Sequence, residues 1–206
     1  MNIGIIGAGN IGANAARLFA DARHRVAISN SRGPESLSSL VEEIGANASA
    51  VSVEEAAGFG EVVLVAIPFG RYETLPAAAL ADKLVIDATN YYPGRDGQLD
   101  LGGRTSSEVM SGHLPLARVV KAFNTMYYET LRTRGSQSYE DRLVLFVAGD
   151  DVEAKAVVSG LVDEIGFAPV DTGSLRDGGG KQELGSPIYN EPMSDERARE
   201  ILSGIS

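Results

Sequence analysis

Six residues near the start of the chain, Gly7-Ala8-Gly9-Asn10-Ile11-Gly12, place glycine at the first, third and sixth positions of the string. Glycines in that spacing clear side chains from where a main chain meets an anion. Gly7 permits a tight turn, Gly9 admits a pyrophosphate against the backbone, and Gly12 lets a helix pack closely on a strand. On its own the string is a weak signal. Here it directly follows an apolar run, Asn2–Ile6, and opens a pattern in which Ile11, Ala15, Leu18, Phe19 and Ala22 recur at helical spacing. The first turn of that helix would add free N–H groups and a positive dipole end. The segment reads as a phosphate cradle for a dinucleotide.

The second chemical signal lies where another apolar run, Arg25–Ser29, gives way to Asn30-Ser31-Arg32-Gly33-Pro34. Proteins that bind NAD commonly carry a carboxylate at this place, which accepts hydrogen bonds from the ribose hydroxyls and repels a 2′-phosphate. Between Val26 and Ser36 the sole acid is Glu35, and it falls inside the next expected helix. Arg32 instead offers a planar fork suited to phosphate, and Ser31 a hydroxyl donor. Pro34 suits the first position of a helix whose positive end faces the same point. The pattern favours NADP(H) over NAD(H).

Three further segments are expected at the carboxyl ends of strands, where ligands lie in doubly wound sheets: Ala66-Ile67-Pro68-Phe69, Ala88-Thr89-Asn90-Tyr91 and Ala122-Phe123-Asn124-Thr125-Met126. They offer small, apolar, amide and hydroxyl groups, with no paired carboxylates and no Ser-His-Asp arrangement. Of the two histidines, His24 reads as a cap on the first helix and His113 as structural, so no metal site is expected. No tyrosine is followed four positions later by lysine, the proton-donor pair of many carbonyl reductases. A nicotinamide site without an acid suits hydride transfer between two flat rings, where stacking and exclusion of water suffice. Catalysis would be positional, with no catalytic residue as such. Pro68 and Phe69 are expected to wall one side of the rings and Asn124, Thr125 and Met126 the other. Asn90 and Tyr91 are expected against the nicotinamide ribose or the acceptor. Asp87 and Lys121, each inside an apolar run, are expected to pair as a partly buried brace if their strands adjoin.

These groups need a scaffold, and the chain supplies short β-type runs alternating with helical patterns. Val62–Ile67, Leu84–Ala88, Val119–Phe123 and Leu143–Ala148 read as further strands, several of them continuously apolar, as strands buried on both faces are. Pro34–Ile44 reads as a helix. Asp150-Asp151-Val152-Glu153 resembles a capping box that opens another helix, through Ala154, Val158, Leu161 and Ile165 to Gly166. The alternation predicts an α/β fold, a doubly wound, mostly parallel sheet of Rossmann type with a small irregular C-terminal extension. Residues 1–173 are expected to form the NADP-binding part and 174–206 an extension of the same domain. Within it, RDGGGKQELGSPIY lacks periodicity and reads as mobile or partner-dependent, ahead of a short helix at Asp195–Leu202. Thr89–Arg104 is a long irregular loop of the kind that is functional or disordered.

Composition narrows the partners. In 206 residues the formal net charge is −10, a field that opposes DNA and acidic lipid surfaces. No apolar run approaches the roughly 18 residues of a membrane helix, and no basic segment precedes an apolar one at the N-terminus. The chain has no cysteine, which removes thiol catalysis and disulfides and fits a cytoplasmic setting. The loosely patterned C-terminal segment suggests that a second subunit completes the acceptor side, so a homodimer is expected.

Taken together, GIIGAGNIG, the SNSR turn, AIPF and VVKAFNT resemble the deazaflavin-coenzyme-dependent NADP oxidoreductase family, over roughly Met1 to Gly173. The cytosolic domains of transmembrane ferric reductases share the Ser-Arg turn and the KAFNT-like strand. The resemblance implies NADP(H) over the glycine loop, with its 2′-phosphate at Ser31 and Arg32, and contacts at Gly9, Asn10 and Ile11. It implies a nicotinamide beside Ile67 and Pro68, and a deazaflavin ring stacked on it near Asn124, Thr125 and Met126. Archaeal members tend to carry His-Thr-Ile-Pro where this chain has Asn-Thr-Met-Tyr, and a basic residue soon after the Ser-Arg pair, where this chain has Glu35 and Ser36. The expected function is hydride transfer between NADP(H) and a flavin-like acceptor, a deazaflavin coenzyme or a flavin. Two alternatives stay open: an NADPH-dependent reductase of a small carbonyl or imine, and a non-catalytic NADP(H)-sensing protein.

Overall fold

The computed structural model describes residues 1–135 and 138–204. The last two residues of the expected extension lie outside that range. Strands β1 (Asn2–Ile6), β2 (Arg25–Ser29), β3 (Ala48–Ala50), β4 (Val62–Val65), β5 (Leu84–Asp87), β6 (Arg118–Ala122), β7 (Val144–Gly149) and β8 (Ala168–Gly173) form one sheet in the order β3-β2-β1-β4-β5-β6-β7-β8. Every neighbouring pair is parallel except β6 and β7. The helices are α1 (Asn10–Asp21), α2 (Ser38–Ile44), α3 (Val53–Phe59), α4 (Pro93–Asp96), α5 (Ser106–His113), α6 (Tyr128–Thr133), α7 (Val152–Glu164), α8 (Asp177–Lys181) and α9 (Asp195–Gly204). The doubly wound α/β expectation is met.

The continuously apolar strands are buried on both faces, and each face has its own core. On one, Ala15, Ala16 and Phe19 of α1 and Val158 and Leu161 of α7 pack with Ile3, Ile5 and Val147 of the sheet. On the other, Ala56 and Ala57 of α3 and Met110 of α5 pack on Val63, Val65 and Val85. A smaller cluster joins Phe146 and Val170 to Ile188, Met193 and Ala198 of the C-terminal part.

Several local expectations are revised. The helix expected over 34–44 is a 3-10 turn, Pro34–Leu37, followed by α2. Asp151 does cap α7, accepting from the Ala154 N–H at 2.9 Å, but Asp150 accepts from the Leu175 N–H at 3.0 Å, and the box is not reciprocal. Reciprocal boxes occur instead at Ser52/Glu55 and Thr105/Glu108. His24 does not cap α1 with its ring. Arg23, at φ +66°, and the N–H groups of Arg23 and His24 close the helix onto Ala20 and Phe19. The His24 ring instead lies 2.7 Å from the Glu164 carboxylate. Residues 177–181, read as unpatterned, fold as α8 with Gly178 and Gly179 buried. A Cβ on Gly178 would meet the Thr172 backbone at 2.6 Å, so only glycine admits this packing on β8.

Candidate functional site

The glycine loop has the geometry that its spacing implies. Gly7 sits at φ +107°, where side chains are disfavoured, and a Cβ there would meet the Ala66 carbonyl oxygen at 2.4 Å. A Cβ on Gly12 would meet the Gly7 oxygen at 1.8 Å, so α1 could not start so close to β1 with any larger residue. Beside Gly9 the space is open. Gly9 is also the N-cap of α1, with no side-chain cap and no acid in the first turn. The N–H groups of that turn thus lack a side-chain acceptor.

An open cleft of about 910 Å³ lies over the carboxyl ends of β2, β1 and β4. Its walls bring together Gly7, Gly9, Asn30, Ser31, Arg32, Ala66, Ile67 and Pro68, as well as Ser52, Glu54, Arg71 and Thr74. The β2 turn is held by its own side chains. Asn30 Oδ1 accepts from the Arg32 N–H at 2.9 Å, and Asn30 Nδ2 donates to Ser36 Oγ at 2.9 Å. Asn30 therefore shapes the turn while the exposed Arg32 guanidinium, among the described residues, has no partner. Arg71 was not singled out from the sequence. It stands on the 3-10 turn after β4, also exposed and without a side-chain partner among the described residues. The signal that could have found it is an arginine soon after the Ile67-Pro68 strand end.

Asn10, Ile11 and Gly12 form the first turn of α1, outside the walls of the main cleft. A smaller recess of about 460 Å³, bordered by Gly9, Asn10, Asn14, Arg17, Glu43, Tyr128 and Arg132, lies on the α1 flank. Phe69 was expected as a wall and is not one. It is fully buried, stacked on Tyr72 at 5.2 Å between ring centroids and tilted against Tyr91 at 5.6 Å. An aromatic ring at the start of that 3-10 turn gains more from the core than from an open edge.

Ala88, Thr89, Asn90, Tyr91, Asn124, Thr125 and Met126 gather at the ends of β5 and β6, away from the cleft. Asn90 and Asn124 clamp these ends together. Asn90 Nδ2 donates to the Asn124 main-chain oxygen at 2.8 Å, and Asn124 Nδ2 donates to Asn90 Oδ1 at 3.0 Å. The C-terminal segment lies directly on them: Asn124 Nδ2 also donates to the Gln182 carbonyl, and the Asn190 N–H to the Thr125 carbonyl. Asn124, Thr125 and Met126 are buried as a result. Asn124 Oδ1 is left without a hydrogen-bond partner. Phe123, fully buried, holds a left-handed backbone at φ +67°, a strained geometry for a bulky residue.

Beneath the clamp, Asp87 and Lys121 face each other across β5 and β6, with Lys121 Nζ 3.6 Å from Asp87 Oδ2. Both are wholly buried, so the expected brace exists and is deeper than expected. Asp87 accepts from the Thr89 N–H and hydroxyl and from the Ser107 hydroxyl, while Lys121 donates to the Thr89 carbonyl and Ser106 Oγ. Every charge here is hydrogen-bonded, the condition under which buried ions are tolerated.

The long loop after β5 is ordered by Asp96, which accepts from the Tyr92 N–H and from Arg95. The Arg95 hydrogen bond holds the Asp96 carboxyl below its ordinary value. The Tyr92 hydroxyl bonds that of Tyr189, joining this loop to the C-terminal segment. Burial, and then that bond, push the Tyr189 phenol above its ordinary value. Among the described residues no cluster of three or more His, Cys, Asp or Glu side chains could hold a metal, and no helix is long and apolar enough to cross a membrane.

Comparison with known proteins agrees with this geometry. A family model described as NADP oxidoreductase, coenzyme F420-dependent, matches residues 2–91. A Sinorhizobium meliloti protein, SMa0349, described only as hypothetical, superposes with a TM-score of 0.85 at 35% identity over 95% of both chains. An Arthrobacter protein described as a candidate F420-dependent NADP reductase superposes at 0.72, with 26% identity over 84% of this chain and 85% of that one. The rat metalloreductase STEAP3 is 31% identical over 175 residues, 84% of this chain. The chain spans about a third of the length of that relative, 34%. Solved dehydrogenases and imine reductases below 25% identity share the fold alone.

Proposed function

We propose that this chain, whose residues 2–91 match the model of coenzyme F420-dependent NADP oxidoreductases, passes a hydride between NADP(H) and a flavin-like acceptor, a deazaflavin coenzyme first among them. The observation that carries the nucleotide half is the β2 turn, where Arg32, whose guanidinium has no partner among the described residues, stands beside Ser31 in the place of a carboxylate. The residues present fit the dinucleotide. Gly9 opens onto the cleft, the first turn of α1 has no side-chain cap, and Arg32 is free to meet a phosphate.

In this reading Gly9, Asn10, Ile11 and Gly12 hold the pyrophosphate with backbone N–H groups and the helix dipole. Ser31 and Arg32 meet the 2′-phosphate, with Asn30 shaping their turn. Ala66, Ile67 and Pro68 wall the path toward the nicotinamide, and Ala88, Thr89, Asn90 and Tyr91 line its far end. Asn124, Thr125 and Met126 stand at the acceptor side but lie beneath segment 182–190, so in this reading they back the acceptor from under that segment. The bound nicotinamide supplies the transferable hydride. The protein positions the rings and keeps water out of the hydride's path, and the proton that completes the reduced acceptor would come from solvent, with no side chain of this chain as its donor. A homodimer and a cytoplasmic location remain parts of the proposal. The chain's own segment lies on Asn124 and Thr125, so a partner is not needed to cover them.

The test is to mix the protein with NADPH and oxidised deazaflavin coenzyme and follow the deazaflavin absorbance. Protein-dependent bleaching supports the reading. Its absence, with NADPH bound, rejects the deazaflavin and moves the search to flavins, ferric chelates, small carbonyls or imines, or to a sensing role without turnover.

A further inference from the structure

We propose that Arg71 is the adenine-stacking residue of the nucleotide cleft, with its guanidinium lying flat on the base while Arg32 takes the phosphate. This inference rests on the NADP(H) reading above and deepens it.

Arg71 is held at its root and free at its tip. Its N–H donates to the Pro68 carbonyl at 3.0 Å, and its own carbonyl accepts from Thr74 Oγ1 at 2.7 Å. The neighbouring Phe69 ring is buried against Tyr72. The main chain is therefore fixed while the guanidinium, exposed in the cleft, has no partner among the described residues. Among the described residues seven of the twelve other arginines lie within ion-pair range of a carboxylate. What sets Arg32 and Arg71 apart is that both border one cleft, an arrangement that suits an anionic nucleotide.

Position decides which part of the ligand each one meets. Strands β2 and β4 flank β1, so the turns that carry Arg32 and Arg71 border the cleft from opposite sides of the glycine loop. The part of the chain that brings Arg71 to the cleft also contributes Ile67, Pro68 and Leu75 to its walls, apolar groups that suit a heteroaromatic face. Guanidinium groups are planar and weakly hydrated, and they stack on rings of this kind.

The experiment is titration of the protein and its variants with NADPH and with NADH, in a high-salt buffer that screens the long-range field of a lost charge. Arg71→Ala is expected to weaken both nucleotides alike, by about three- to tenfold. Arg71→Lys, which keeps the charge but loses the plane, is expected to show the same loss, and Arg71→Trp to restore binding. A loss confined to NADPH makes Arg71 a second phosphate ligand and overturns the proposal. So does unchanged binding in Arg71→Ala, or full rescue by lysine. Wild-type protein that binds neither nucleotide removes the NADP(H) reading itself, an outcome separate from the other three.

Discussion

In the proposed reading, two nucleotides that differ by one phosphate are told apart at the β2 turn by what stands where a carboxylate would. Arg32→Ala should therefore weaken NADPH binding roughly ten- to a hundredfold, the cost of a charge-assisted phosphate contact, and leave NADH nearly unchanged. Calorimetric titration of both nucleotides reads the difference, and equal losses would remove Arg32 from the phosphate site. The close backbone approaches at Gly7 and Gly12 and the cleft-wall positions of Ser31 and Arg32 were legible in the sequence because they depend on residue type at fixed spacing. Arg71 and Gln182 were not. An arginine on a surface turn has no pattern of its own, and its distinction lies in lacking a partner that only the folded neighbourhood reveals. Phe69 was misplaced for a similar reason: a ring at a strand end can turn outward or inward, and here Tyr72 and Tyr91 draw it in.

Strands were the readable elements, since burial on both faces writes a continuous apolar run. The bounds expected for β1 and β2 are those observed, and for β4 to β7 they differ by two residues at most. β8 escaped notice because Pro169 and Asp171 interrupt it; as an edge strand it can carry both. α8 escaped because three consecutive glycines argue against a helix until β8 packs against them. The pairing of β5 with β6 also fixes the buried Asp87–Lys121 contact. Lys121→Met leaves Asp87 charged and unpaired in the core, at a cost of about 3–5 kcal/mol in urea unfolding. The double change Asp87→Leu/Lys121→Met should lose less than the sum of the two single changes. Strict additivity would mean that the two groups do not act as a pair.

Across the whole molecule, the two ends of the expected ligand are served by different stretches of chain. Residues 6–75 supply every wall of the nucleotide cleft, while β5, β6 and the C-terminal segment build the opposite end. The Tyr92–Tyr189 bond is one of the ties that hold that end shut. A phenol kept neutral by the fold stabilises it fully below its unfolded pKa of about 10, and that contribution fades as pH climbs further. Because Tyr189 is shifted upward, the wild-type melting temperature should fall above about pH 10. Tyr189→Phe should melt lower at neutral pH yet decline less steeply in alkali. An identical alkaline slope in both proteins would take Tyr189 out of the account.

That separation of residues 6–75 from the 88–190 end has a consequence for descent. In the proposed reading, substitutions that retune the acceptor side fall mostly outside residues 6–75, which wall the cleft, so selection can act on one with little effect on the other. A lineage built this way changes its exchange partner while inheriting most of its grip on the nucleotide.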